Sequence, residues 1–320
     1  MMRFLWPHWY LPTVRGLLGN LIAREAVYPF YASFKITSRC HFGCPFCNVK
    51  QHRTPDLSTE QIIAVLDNLS RSPVLLTSFE GGEPLLRDDI EELLRYVRTR
   101  CRFYLLFTTS DRNLFDHPLE RYAPLIDFFH VSIDEGHGNL EMFDHLPELM
   151  ALPTHLSVQT VVTRDTLGAL EEKVARCYEC GANTVVIPAA HMEGTDDHFP
   201  DMAEFERVLE SLRRKYPNTI HTPQGFHKAY REHRCSSGSV IIAPDGRIYY
   251  PCHILNTKGP DLTTTDLSTW LRTDEAKAMR GTMRTCERNC GWYQYYSIDS
   301  YTSVGTVYES LRPMLLQKRR

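Results

Sequence analysis

No stretch of this 320-residue chain approaches the roughly 18 consecutive apolar residues that a membrane-spanning helix requires. The start, "MMRFLWPHWYLPTVRGLLGNLIARE", also lacks the basic lead and uninterrupted apolar core of a secretory signal. These two absences point to a reducing, cytoplasmic compartment, where grouped cysteines bind metal more often than they pair as disulfides. An excess of one charge is missing too: 36 Lys and Arg against 39 Asp and Glu give a net charge of -3, so bulk nucleic-acid binding is unsupported. Internal repeats and low-complexity tracts are absent. What is present is ordinary globular composition, 42% hydrophobic and 23% charged, long enough for one large domain with a small one beside it.

Short β-branched runs alternate with helical stretches along most of the chain. Strands are expected at 33–38, 74–80, 103–109, 128–134, 155–162 and 183–189, with helices at 58–70, 88–100, 117–123, 141–150 and 166–180. Ser58 and Gln61 have capping-box spacing, and Gly181 suits a left-handed helix end. Strand–helix alternation implies a parallel sheet, because parallel neighbours need a crossover. About six such units fit before residue 200, too few for a closed eight-fold barrel, so the fold class is α/β with an open or partial barrel. Its site belongs at the C-terminal ends of the strands. Past a charged helix at 201–216 the texture changes, with "APDGR" reading as a hairpin turn. The expected divisions are 1–31 as helix and lead-in, 32–219 as barrel, and 220–320 as a small C-terminal domain.

Ten cysteines are present, and three of them, Cys40, Cys44 and Cys47, sit in "RCHFGCPFCNVK" directly after the first expected strand. Thiolates suit zinc or iron–sulfur clusters, but no fourth cysteine follows in the same loop to close the site. The second strand ends in "EGGEP", Gly81 to Pro84. A second set follows: Cys235 and Cys252 bracket the hairpin, and Cys286 and Cys290 form "CERNC". Four thiolates can close a cluster or a zinc site, with His253 as a substitute ligand.

"CHFGCPFC", with Phe46 at its aromatic position, resembles the three-cysteine motif of the radical S-adenosylmethionine (radical SAM) superfamily, and "GGEP" resembles that family's glycine-glycine-glutamate motif. The resemblance covers roughly residues 32–200 and implies a partial (βα)6 TIM-like barrel. It implies that the three cysteines hold three irons of a 4Fe-4S cluster and that the amino and carboxylate groups of SAM chelate the fourth. It also implies reductive cleavage of SAM to a 5′-deoxyadenosyl radical that abstracts a substrate hydrogen. Gly81 and Gly82 would let backbone approach SAM, Glu83 would accept from its ammonium, and Pro84 completes the motif. Ser132, Asp134 and Gln159 stand where the family carries polar contacts to ribose or carboxylate, and Ile187 and Pro188 where it holds the adenine edge. "TTS", Thr108 to Ser110, departs from the frequent Asn-bearing version. The second cysteine set resembles a twitch domain, the short form of the SPASM extension, and implies a second, auxiliary 4Fe-4S cluster.

The expected function is therefore a radical SAM oxidoreductase or transferase-type enzyme with two clusters, supplied with electrons by a reductase or a flavodoxin or ferredoxin. Its substrate is open between a hydrophobic or membrane-associated metabolite and a peptide or protein side chain. Only 39 residues precede Cys40, too few for a fused peptide-recognition domain. From Thr13 to Glu25, Val14, Leu17, Leu18, Leu21 and Ile22 share one helical face, and such a helix packs on the domain, lies in a bilayer interface or guides a greasy substrate. A non-catalytic iron–sulfur redox or binding protein is the reading from another class. Cys101 is expected in the core, and Cys177 and Cys180 as structural thiols. His191, His198 and His227 lack paired ligand spacing, and Trp292 to Tyr296 are expected to pack the small domain.

Overall fold

In the computed structural model, residues 5–49, 53–190, 198–222, 231, 235–236, 238–288 and 290 are described. The strand–helix alternation resolves into β1 (Tyr31–Thr37), α2 (Thr59–Arg71), β2 (Leu76–Gly81), α3 (Ile90–Arg100) and β3 (Tyr104–Thr109), preceded by α1 (Leu11–Ala23). There follow α4 (Leu119–Tyr122), β4 (Phe128–Ser132), α5 (Leu146–Met150), β5 (His155–Val162), α6 (Leu170–Cys180), β6 (Asn183–Pro188) and α7 (Met202–Lys215). The stretches expected as helices at 117–123 and 141–150 are only partly α-helical; 3-10 turns at Ala123–Leu125 and Leu140–His145 share them. The capping box of α2 forms as its spacing predicts, Ser58 accepting from the Gln61 backbone. Gly181 ends α6 in the left-handed conformation.

β1 to β6 pair in parallel and in sequence order, and the sheet continues past β1 into β7 (Ser239–Ile242), β8 (Arg247–Tyr249) and β9 (Lys258–Asp261). β7 runs parallel to β1, while β8 and β9 are antiparallel additions. The C-terminal segment thus extends the barrel sheet. Asn68 of α2 fastens it further, donating to the carbonyls of Leu262 and Thr265 and accepting from the Leu267 N–H.

Strand side chains alternate between two surroundings, as the period of two requires. On β1, Ala32, Phe34 and Ile36 are buried in the main core together with Ile62, Val65, Leu66 and Leu69 of α2. Tyr31 and Lys35 face the opposite way, into a cavity inside the partial barrel.

α1 lies against the N-terminal ends of the strands. Tyr10 Oη is 2.6 Å from Tyr104 Oη at the start of β3. Asn20 accepts from the Val27 and Tyr28 N–H groups and donates to the Tyr28 carbonyl. Gly16 meets Pro73 and Tyr28 so closely that a Cβ there would overlap them. The packing face is therefore small and polar, made by Thr13, Gly16 and Asn20. The apolar stripe points the other way: Leu11, Val14, Leu18, Leu21 and Ile22 are exposed, Ile22 at 85%. The helix therefore does pack on the domain, through its small polar face, and among the described residues the apolar stripe stays exposed.

Candidate active site

The loop carrying the first three cysteines leaves the C-terminal end of β1 and is tied at its base. Asp56 accepts from Thr37 Oγ1 (2.8 Å), the Ser38 N–H (3.2 Å) and Arg39 Nε (2.9 Å), and Ser38 Oγ donates to the Thr54 carbonyl (2.7 Å). The loop is also stitched to the end of β2: the Gly82 N–H donates to the Thr37 carbonyl and the Glu83 N–H to that of Arg39, each at 2.8 Å. A Cβ at Gly81, where φ is +135°, would overlap the Thr37 carbonyl, and one at Gly82 the Arg39 carbonyl. Glycine is thus required here by the chain's own close approach, in addition to any ligand.

Within the loop, burial pushes the Cys40 thiol up, and the nearby Cys44, Cys47 and Glu83 add to that. Crowded thiols, Cys40 and Cys44 half-buried and Cys47 exposed, are stabilised as thiolates by a cationic centre, so the donor set fits an iron cluster. Among the described residues no three Cys, His, Asp or Glu side chains stand in a ready-made ion-binding geometry. A cubane separates its ligand sulfurs more widely than a single ion does, and the chemistry of the donors carries the fit. Phe46 is buried with Val161 and Ala189, and Cys44 and Ile187 pack against them. Its ring leaves no room for a Cβ at Gly136, and the His137 ring stands edge-on to it at 5.3 Å.

Glu83 is fully buried. Its carboxylate accepts from Thr109 Oγ1 (2.8 Å), the Ser110 N–H (3.0 Å) and the Leu85 N–H (3.1 Å). Burial lifts its pKa to about 6 against the pull of those donors. "TTS" at the end of β3, which departs from the family pattern, therefore works at one remove by aiming Glu83.

Cys47, Phe46, Gly81, Gly82, Glu83, Ser132, Gln159, Ile187 and Pro188 all line one cavity at the C-terminal ends of the strands. Ser132 and Gln159 are register partners on β4 and β5. Asp134 does not join them. It is fully buried, accepting from the His137 N–H and from Nδ1 (2.8 Å) on one oxygen and from the Val161 N–H (3.0 Å) on the other. A turn aspartate can face inward or brace its own turn, and here it braces. Pro84 is buried at the start of a 3-10 turn and lies outside the cavity lining. Ionisable groups that the motifs did not single out do line it: His137 and, on the strands, Lys35, Glu80 and His130. Their strand positions, inward by alternation with Tyr31, Leu76 and Phe128, were the available signal.

The second cysteine set converges as its spacing suggested. Cys235, Cys252, Cys286 and Cys290 line one small pocket with Ile254, Leu255, Met283 and Arg288. Burial pushes the Cys252 thiol up to about 11, with Cys290 and Cys286 contributing in the same direction. His253 turns elsewhere: its Nε2 is 3.3 Å from Lys35 Nζ, and its ring packs edge-on to Tyr249 at 4.5 Å. Cys101 and Cys177 are core residues, and Cys180 packs against the same core. His191, His227 and Trp292 to Tyr296 lie outside the described residues.

A family model described as "Radical SAM superfamily" matches residues 34–205. The "PqqA peptide cyclase" of Gluconobacter oxydans is 26% identical over 294 residues, covering 79% of this chain and 81% of that protein. The "AdoMet-dependent heme synthase" of Nitratidesulfovibrio vulgaris is 23% identical over 198 residues, covering 55% of this chain and 53% of that protein. Among solved structures, Streptococcus suis SuiB bound to its precursor peptide SuiA has a TM-score of 0.69 at 16% identity, covering 92% of this chain and 76% of that one. The last likeness concerns the fold.

Proposed function

The chain belongs to the radical SAM superfamily and is an enzyme that works through SAM-derived radicals, and from that premise we propose that it modifies a peptide or protein side chain. The carrying observation is the three-cysteine loop stitched onto Gly82 and Glu83 at the mouth of a barrel cavity, because a pure electron carrier has no use for the cavity. When bound, the 4Fe-4S cluster and SAM supply reductive cleavage and a 5′-deoxyadenosyl radical. Cys40, Cys44 and Cys47 would hold the cluster, and Glu83 would accept from the SAM ammonium. Ser132 and Gln159 would meet the polar parts of SAM, with Ile187 and Pro188 at its adenine edge. Cys235, Cys252, Cys286 and Cys290 would hold the auxiliary cluster in a C-terminal unit beginning near residue 220. A flavodoxin, ferredoxin or dedicated reductase would supply the electron.

The peptide reading rests on the named peptide cyclase relative and on the SuiB likeness. The rival idea of a greasy metabolite drew on the apolar N-terminal helix. That helix packs at the strand ends opposite the cysteine loop, and none of its residues lines the cavity. Its outward stripe instead suits a membrane surface. Arg15, Arg24, Arg71 and Arg100 are exposed on the same end of the barrel, joined by the half-buried Arg102, and no acidic residue occurs before Glu25. We assign this face to an anionic bilayer interface. No helix among the described residues is long and apolar enough to cross a membrane.

Cluster-loaded protein should be incubated with SAM, dithionite and short peptides encoded beside its gene. The expected result is a peptide that loses a pair of hydrogens in step with 5′-deoxyadenosine formation. Turnover of small metabolites with every peptide unchanged would overturn the peptide reading.

A further inference from the structure

One charged group in the cavity has no part in holding either cluster or SAM. Lys35 sits on the inner face of β1, one step deeper in the barrel than the Thr37 to Gly82 stitch. Its register partner on β2 is Glu80, which lines the same cavity. From the far side the C-terminal strands close on it: His253 Nε2 is 3.3 Å from Lys35 Nζ, and the Tyr249 ring centroid is 5.8 Å from it. Tyr249 and His253 are themselves locked edge to face.

An ammonium has three N–H donors. His253 takes one in a long contact, and it is the hydrogen bond recorded for Lys35 Nζ among the described residues. Lys35 itself lines the cavity, whose neighbouring walls include Tyr31, Leu76 and Leu106. Burial pulls the Lys35 pKa down, while its register partner Glu80 works to keep the ammonium charged. A desolvated cation with spare donors beside apolar walls is built to receive an anion. Glu80 limits which one: it offsets part of the positive charge, so a single carboxylate fits better than a doubly charged phosphate.

Resting on the peptide reading above, we propose that Lys35, braced by His253 and Tyr249, is the anchor for a substrate carboxylate, contributed by an acidic side chain or by a chain terminus. Anchoring that carboxylate below the glycine-glycine-glutamate end would aim the adjoining carbon at the SAM side of the cavity. It would also tie substrate position to the C-terminal segment, since His253 follows Cys252 directly.

The test uses cluster-loaded protein with SAM bound and three probes: N-acetyl-glutamate α-amide, its neutral isostere N-acetyl-glutamine α-amide, and N-acetyl-alanine with a free terminal carboxylate. Dissociation constants come from broadening of the probe proton resonances, and iron content is measured on each variant as the check on folding. Wild type should bind one carboxylate probe about tenfold more tightly than the isostere, and the stronger of the two carboxylate probes names the source. Lys35→Met should abolish that preference and Lys35→Arg should keep it. Equal binding of all probes by wild type, or a preference that survives Lys35→Met, would overturn the anchor. Peptide turnover by the same wild-type preparation, measured with 5′-deoxyadenosine formation, separates this result from a failure of the peptide reading.

Discussion

Glu83 carries two demands at once, and the hydrogen bonds show how they are reconciled. Thr109, Ser110 and Leu85 fix its carboxylate, while its place in the cavity wall leaves it available to a ligand ammonium. Replacing it by Gln keeps the size and an acceptor oxygen but removes the charge. We expect Glu83→Gln to keep its iron and to weaken SAM binding by about 1.5–3 kcal/mol, the range for hydrogen bonds to charged groups. Because burial holds this carboxyl at about 6, it is ionised at pH 7 and mostly neutral at pH 5. SAM affinity of wild type should fall over that interval, and the Gln variant should be flat; titration calorimetry at both pH values checks this, and a parallel fall in both proteins would refute the assignment. Glu83 and the cysteines were readable in the sequence because their spacing is local. The partners of Glu83 were not, since Thr109 and Ser110 reach it across the sheet. Lys35 was missed because an isolated lysine in an alternating strand reads as solvated until the strand is known to line a cavity.

At the level of elements, the cysteine loop is held where its ends meet, by Asp56 at its base and by the backbone of Gly82 and Glu83 beside it. Strand order and helix caps followed the sequence pattern closely, whereas α1 shows its limit. Periodicity identifies an apolar face but says nothing about which face packs. Here Gly16 and Asn20 give a closer fit to Pro73 and Tyr28 than the leucines would, and the leucines stay outside. Each large apolar side chain left in water forgoes about 1.5–3 kcal/mol of burial free energy, which a bilayer would return. The protein should therefore float with vesicles containing phosphatidylglycerol, less so at high salt, and fail to float with pure phosphatidylcholine. Leu18→Asp with Ile22→Asp should lose flotation while keeping the iron content. Absence of flotation, or flotation unchanged in the double variant, would remove the membrane assignment.

Across the whole molecule, the two cysteine sets flank one continuous sheet. β7 beside β1 places the auxiliary pocket next to the barrel, and His253, in the turn between β8 and β9, reaches Lys35 inside it. The alternating barrel was readable from the first strands, but the parallel pairing of β7 with β1 joins residues about two hundred positions apart and leaves no periodic trace. On the proposed function, SAM cleavage belongs to Cys40, Cys44 and Cys47, and later electron transfer or substrate positioning to the second set. The most direct measurement is 5′-deoxyadenosine formed from SAM and dithionite by anaerobically reconstituted protein holding roughly eight iron atoms. Wild type should form it, Cys44→Ala should form none, and the Cys286→Ala, Cys290→Ala double variant should still form it. A fully loaded wild type that leaves SAM intact, or a Cys44→Ala variant that cleaves it at the wild-type rate, would contradict this assignment.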